Sequence, residues 1–400
     1  MHTDRAILHC DCNNFYASVE LLKYPELRDK PVAVAGDPEG RHGIILAKNM
    51  AAKRLGVQTA ETIWQPKRKC PDLILQPPHH EEYEAMSRRI NAIYLDFTDQ
   101  VEPFSVDESW LDVTGSRQLF GSGEAIADAL RRRLREELGM TISVGVADNR
   151  WWAKLGSDYK KPAATTVITR ENVAALLYPL PVRDMLFVGG AAAEVLTRHG
   201  VNTIGQLASL SPALLERWLG KQGTSLHRMV HGVDDAPIRR WGESEAVKSV
   251  GNSMTYPHDL MGPEAWRAGL MPLCDSVGAR LRAQGLKCRT ITVQIKDKSF
   301  KVISRQKTLP VPTCLTRQIF REALGILGGC WSPDAPIRLL SVTASGLCPA
   351  DEAASAQLSF LTEVQADDPR QVKLEQAVDA MRSRFGRTAI QPGTVIHNED

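Results

Sequence analysis

The sequence predicts a multidomain α+β protein, and three features of its patterning carry that expectation. Up to about residue 165, strand, helix, hairpin, helix and strand follow one another, the order expected of helices laid on an antiparallel sheet. Past 165 the chain changes to short helices with glycine-containing turns, LFVGGAAAEVLTRHG, TIGQLASLSPALLERWLG and LHRMVHG. A third region then returns to alternating strands, RTITVQIKDKSFKVISRQKTL and IRLLSVTASGL, with helices between them. At roughly 150 residues per domain, 400 residues leave room for two to four domains.

Taken in order, Ala6 to Asp11 is a short apolar run ending in a carboxylate, followed by the helix-capping types Asn13 and Asn14 and the helical FYASVELL. ILAKNMAAKRLGV, 45 to 57, reads as an amphipathic helix carrying Lys48, Lys53 and Arg54. In VEPFSVDESWLDVTG, Val101 to Val106 and Trp110 to Val113 read as strands, with Asp107 and Glu108 near their junction. The next helix has Ile126, Leu130, Leu134 and Leu138 at i+4 spacing and stops at Gly139, before the strand 141 to 147. NRWWAKLGSDYKKP then places Lys154, Lys160 and Lys161 on a helix. A charged, proline-containing linker lies around 234 to 247, and the tail beyond about 386 is expected to be mobile.

Composition narrows the classes. With 43% hydrophobic and 24% charged residues the chain is ordinary globular material, which excludes collagen-like, disordered and coiled-coil readings. No apolar run approaches a bilayer span and MHTDRAILHC has no basic leader or cleavage site, so a cytoplasmic protein without membrane contact is expected. The 8 cysteines show no CxxC pair and read as free, mostly buried thiols. A net charge of +2 denies the molecule a long-range basic field. Local charge is another matter: from Arg280 to Lys307 nine basic residues face one acid, Asp297.

Asp11, Asp107 and Glu108 at strand ends are candidates for a shared metal site. Adjacent strand residues point to opposite faces, so Asp107 and Glu108 share a site only where the chain bends, as a hairpin junction allows. Hard carboxylate oxygens suit Mg²⁺, and paired ions clamp the attacking and leaving oxygens of a phosphoryl transfer. Solvated turn residues are the plain alternative. Lysines beside such carboxylates suit the outer phosphates of a nucleotide, although a lysine run alone is usually a solvated face.

These segments together resemble the Y-family, lesion-bypass DNA polymerases, in the DNA polymerase IV branch. HCDCNNFYASVE (9–20), FSVDESWLDVTG (104–115) and VGVADNRWWAKLGSDYKKP (144–162) are similar to the family's three palm motifs. LFVGGAAAEVL (186–196) resembles its helix-hairpin-helix thumb, and KSVGNSMTY (248–256) the opening of its little finger. The resemblance implies a ferredoxin-like palm at 1–20 and 75–165, fingers at 21–74, a thumb at 166–236, a linker at 237–247, an α/β little finger at 248–350 and a tail at 351–400.

It further implies a low-fidelity, template-directed DNA polymerase acting on primer-template DNA and a dNTP. Asp11, Asp107 and Glu108 become the catalytic, metal-binding triad for two Mg²⁺ ions, with the backbone carbonyl of Cys12 on the second ion. The primer 3′-hydroxyl attacks the α-phosphate and pyrophosphate departs. Tyr16 falls at the steric gate against ribonucleotides, with Phe15 beside it in the core or over the sugar. Lys161 matches the triphosphate lysine. Where relatives carry Thr, Tyr and Arg against the triphosphate, this chain has Ala47, Met50 and Lys53, which predicts a weaker nucleotide grip unless Lys48 compensates.

In the thumb, Phe187 replaces a usual glycine and Gly190 a usual basic residue, while Gly189 remains for the hairpin that meets a DNA phosphate. Lys296, Lys298, Lys301, Arg305 and Lys307 fall on little-finger strands that grip the DNA backbone. Gln357, Leu358, Phe360 and Leu361 look like a peptide that hooks the sliding clamp, and a monomer is expected. Two other readings share features with this one. A nucleotide cyclase would share the acids but needs no thumb or basic C-terminal sheet; a catalytically inert DNA binder would not need the acids.

Overall fold

The computed structural model describes residues 5–37, 43–234, 236–243, 245–351, 369–386, 389–391 and 393. It divides into two compact units between residues 244 and 245, inside the segment expected to be a linker. The first unit carries strands β1 (Ile7–Cys12), β2 (Val32–Ala35), β3 (Ile45–Lys48), β4 (Ile74–Gln76), β5 (Val101–Pro103), β6 (Glu108–Asp112), β7 (Ile142–Ala147) and β8 (Thr165–Val167). Five of them form one sheet in the order β5-β6-β1-β7-β8. All pairs in it are antiparallel except β7 with β8.

β1 is central and buried along its whole length. Because side chains alternate across a strand, Leu8, Cys10 and Cys12 face one side and Ile7, His9 and Asp11 the other. The first side packs against helices His80–Leu95 and Gly123–Leu138 through Tyr83, Ile90, Ile126, Leu130 and Leu134. The second packs against helix Arg150–Tyr159 and, through Trp152, on a helical group built from Gly190–Arg198, Ile204–Ala208, Pro212–Leu219 and Lys221–Val230. Helix Gly123–Leu138 ends as the sequence predicts, at Gly139 with φ of 66°, whose N–H returns to the Arg135 carbonyl.

Several local expectations are corrected. The stretch 45–57 is not one helix but β3 followed by the short helix Met50–Arg54. Asn49 decides this: its Oδ1 accepts from the N–H of both Val32 and Ala52, capping the helix and tying it to β2. Asn13 and Asn14 do not cap the helix Phe15–Lys23, since Asn14 adopts φ of 51° without a side-chain bond and Asn13 bonds Ser143 instead. The strand expected at Val101 to Val106 ends at Pro103, and the chain bends from Phe104 to Asp107. Helix Arg150–Tyr159 stops before Lys160 and Lys161. The expected linker is pinned to the first unit at its start: Arg150 Nε bonds Asp234, and Glu102 accepts from the N–H and guanidinium of Arg239.

The second unit is a sheet of β9 (Ser249–Leu260), β10 (Leu286–Lys296), β11 (Val302–Thr313) and β12 (Ile337–Pro349), ordered β11-β10-β12-β9 and antiparallel throughout. Helices Gly262–Ala283 and Thr316–Cys330 cover one face through Leu270, Leu273, Val277, Ile319 and Leu327. The tail contains a helix the sequence reading missed, Pro369–Phe385. It is held by Arg282, buried to 6% exposure, which forks onto Asp379 at 2.6 and 3.1 Å and also bonds Glu375. The described cysteines are all free, and no helix among the described residues is long and apolar enough to cross a membrane.

Candidate active site

Asp11, near the end of β1, pairs across the sheet with Glu108 on β6 and Ser143 on β7. Opposed residues on neighbouring strands project to the same face, so the two carboxylates stand side by side, with Lys154 Nζ reaching both. Asp107 joins them because of the bend: Phe104 and Ser105 both donate their N–H to the Glu108 carbonyl, at 2.8 and 3.2 Å. The Cys12 N–H donates to the Asp107 carbonyl at 3.0 Å, binding the bend to the end of β1. Ser105 Oγ donates to Asp107 Oδ1 at 2.7 Å.

Two lysines reach this corner. Lys161 Nζ lies 2.7 Å from Asp11 Oδ2, and Lys154 Nζ lies 2.9 Å from Glu108 Oε1 and 3.4 Å from Asp11 Oδ2. Both also touch Asp158, at 2.8 and 3.0 Å. Helix Arg150–Tyr159 comes close enough to place Lys154 because residue 145 on β7 is glycine. A Cβ there would stand 1.9 Å from the Ala153 carbonyl oxygen and 2.5 Å from the Ser157 nitrogen. Gly145→Ala is therefore expected to push the helix off the sheet, costing about 1–3 kcal/mol or more of stability in chemical denaturation and most of the activity. A variant with unchanged stability would show the contact to be soft.

The charges are crowded. Burial raises the Asp107 pKa and repulsion from Asp11 adds to it, while the Ser105 hydroxyl pulls the other way. Burial and the Asp11 carboxyl beside it raise the Glu108 pKa to about 7, against the pull of Lys154. Burial opposes the ammonium charge of Lys154, yet Asp158, Glu108 and Asp11 outweigh it and keep its pKa above the ordinary lysine value. The folded state thus holds the Glu108 proton to higher pH than the unfolded chain does, so Glu108 favours folding at low pH and that contribution disappears as pH rises through about 7. Glu108→Gln should raise the thermal midpoint of the metal-free protein more at pH 8 than at pH 5; equal shifts at both would refute the strain.

Among the described residues no three His, Cys, Asp or Glu side chains stand as a ready metal cage. The donor chemistry nevertheless fits divalent ions. Asp11, Asp107, Glu108 and Asp158 set four carboxylates against the ammonium groups of Lys154 and Lys161, leaving two negative charges when all are ionised. Oxygen donors with such an excess suit a hard dication.

Other candidates fall out unevenly. Phe15 takes the packing alternative, 3% exposed in the core. Tyr16 stacks on Tyr83 with ring centres 4.1 Å apart and 15° between planes, close enough to Asp107 that this charge adds to burial in raising its phenol pKa. Ala47 and Lys48 lie on β3, with Met50 and Lys53 on the helix that follows. Burial, then the nearby Lys53, lowers the Lys48 pKa, and Lys48 donates to Thr59 Oγ1 at 2.9 Å. The Phe187 backbone takes φ of 67°, its side chain is exposed, and Gln222 donates to its carbonyl at 2.6 Å. Gly189 precedes helix Gly190–Arg198, and a Cβ at either glycine would meet nothing.

In the second unit the basic residues separate. Lys296 continues the row Thr290, Thr292 and Gln294 on the open face of β10. Arg305 and Lys307 pair with Val293 and Ile291, whose side chains are buried under the helices, so they project to the helix side. Lys307 is bonded to Glu322 at 2.7 Å. Lys298 and Lys301 lie in the β10–β11 turn, where Asp297 accepts from the N–H of Ser299 and Lys301. Gln357, Leu358, Phe360 and Leu361 lie outside the described residues. The sequence reading missed Asp158, which bridges the two lysines. Its signal was spacing: Asp158 is one helical turn from Lys154.

A five-stranded sheet with strand-end acids beside lysines, a hairpin-linked helical group and a second α/β unit define a nucleotidyl-transfer polymerase architecture. Comparison agrees. The impB/mucB/samB family matches residues 10–158, and its C-terminal domain matches residues 247–360. DNA polymerase IV of Acetivibrio thermocellus is 43% identical over 98% of this chain and 98% of its own length. DNA polymerase IV 1 of Bacillus subtilis is 35% identical over 99% of this chain and 94% of its own. A solved Y-family DNA polymerase chimera superposes with a TM-score of 0.75 at 23% identity, covering 86% of this chain and 99% of that one, which speaks for the fold. The chain belongs to the Y-family DNA polymerases, in the DNA polymerase IV branch. It is a DNA-directed DNA polymerase of the lesion-bypass class.

Proposed function

We propose that Asp11, Asp107, Glu108 and the Cys12 carbonyl hold two Mg²⁺ ions with which the enzyme joins a dNTP to a primer 3′-hydroxyl. As a DNA polymerase it acts on DNA and deoxynucleoside triphosphates and depends on divalent metal. One observation supports the assignment above others: Asp11 and Glu108 are cross-strand partners on the face where two lysines converge. Bound ions would supply charge neutralisation and a more acidic nucleophile. In the transfer a bond forms from the 3′-oxygen to the α-phosphorus as the bond to pyrophosphate breaks.

The protein's own groups position the partners. Lys161, released from Asp11, is a point charge for the outer phosphates, and the Lys48–Lys53 pair replaces the grip lost with Ala47 and Met50. Tyr16 walls off a 2′-hydroxyl. The open glycines at 189 and 190 leave room for a DNA phosphate to approach backbone N–H groups. We assign Gln357, Leu358, Phe360 and Leu361 to the sliding clamp, and the enzyme acts as a cytoplasmic monomer without membrane contact. We place the domain limits at the expected ranges, with the palm at 1–20 and 75–165.

Primer extension with Mg²⁺ and one dNTP at a time tests the activity. Addition should follow the template and stop on chelation. An inert binder adds nothing, and a cyclase releases pyrophosphate without a primer. DNA affinity should fall steeply with salt through counterion release. Lys296→Ala should lower the slope of log affinity against log salt by about one contact, whereas Lys307→Ala, already neutralised by Glu322, should change it less. Equal slopes for both variants would refute the separation.

A further inference from the structure

The tip of the β10–β11 hairpin carries an aromatic ring that the fold does not use. Asp297 to Phe300 form a turn in which the Phe300 N–H donates to the Asp297 carbonyl at 3.1 Å, and the Asp297 N–H donates to the Lys301 carbonyl at 3.0 Å. Phe300 completes the turn with φ of 64°. A hairpin of this kind gives that left-handed bulge position to glycine, because a Cβ there crowds the backbone. Burial offers the ring little compensation. Phe300 is 64% exposed, and the Arg338 guanidinium carbon lies 4.8 Å from its ring centre.

The loop that presents this ring is well braced. Asp297 Oδ1 accepts from the N–H groups of Ser299 and Lys301 at 2.8 and 2.9 Å, so the only acid between Arg280 and Lys307 is engaged in holding the turn. Lys298 and Lys301, on either side of the ring in the chain, are exposed. A flat apolar face held beside cationic side chains matches a flat partner tethered to negative charge, which is a nucleobase on its phosphodiester. Bases inside a duplex hide their faces against one another, whereas unpaired bases offer them. Arg338 takes one face of the phenyl ring and leaves the other for such a base. We propose that Phe300 is a stacking platform for an unpaired base of single-stranded DNA, with Lys298 and Lys301 holding the phosphates beside it. This role goes beyond the backbone grip of the neighbouring lysines, which needs no aromatic ring.

The test measures, by fluorescence anisotropy, the affinity of the full chain for a thymidine oligomer and for an abasic oligomer of the same length, which carries the same phosphates without bases. The parent should prefer the thymidine oligomer. Phe300→Gly should lower that preference about 10-fold, the scale of one stacked base, while affinity for the abasic oligomer holds. Its slope of log affinity against log salt should match the parent's, because no cation has been removed. Its thermal midpoint should rise, since glycine accepts φ of 64° without strain and little packing is lost. Phe300→Trp, which keeps a flat ring, should keep the preference. An absent preference in the parent, or an unchanged one in Phe300→Gly, overturns the proposal. So does equal weakening towards both oligomers, which marks a ring that only shapes the hairpin. Lys298→Ala is the control: it should weaken both oligomers alike and reduce the salt slope. If it does neither, the phosphate contact of Lys298 has failed, and the stacking role is still decided by Phe300→Gly.

Discussion

Asp107→Ala is expected to abolish primer extension, by about 1,000-fold or more if the carboxylate contributes several kcal/mol to holding charge in the transition state. Of the three acids it is the cleanest to remove. Asp11→Ala would take one carboxylate partner from both Lys154 and Lys161, and Glu108→Ala one from Lys154, so each would confound loss of chemistry with weakened ion pairing. Asp107 is bonded through Ser105 Oγ, and its backbone carbonyl, which holds the bend against Cys12, survives the substitution. Single-turnover extension should therefore collapse while DNA binding, followed by fluorescence anisotropy, stays within a few fold and the thermal midpoint holds. Synthesis within tenfold of the parent would remove Asp107 from the machinery.

Tyr16→Ala should change what is polymerised rather than whether anything is. The ring is stiff: it stacks on Tyr83, whose hydroxyl donates to Glu20 Oε1 at 2.6 Å, and His79 reaches the same oxygen at 2.8 Å. A wall that cannot yield rejects an extra hydroxyl by steric cost alone. Its removal should raise ribonucleotide incorporation relative to deoxyribonucleotide by about 100-fold, the scale on which a shaped pocket discriminates one small group. Tyr16→Phe keeps the ring and should keep the selectivity. Loss of the stack should cost about 0.5–1.5 kcal/mol of stability. Equal sugar selectivity in Tyr16→Ala and parent would show that the gate lies elsewhere.

The parts of this structure legible in the sequence are those written in local chemistry. The helix ending at Gly139 and the need for a bend between Asp107 and Glu108 follow from spacing and from the pleat of a strand. Illegible were the outcomes set by distant partners. Asn49 splits an apparent helix because Val32, far back in the chain, lends it an N–H. Phe15 and Tyr16 are equivalent aromatic neighbours until the helix His80–Leu95 buries one and stacks on the other. Arg305 and Lys307 read as part of one basic patch, and only strand register reveals that they turn toward the helices. The helix Pro369–Phe385 owes its place to Arg282, about a hundred residues earlier.

Lys154 and Lys161 give the acidic corner internal counter-ions. Two of the four negative charges gathered there are thus offset from within the chain, so closing the fold does not bring four bare carboxylates together.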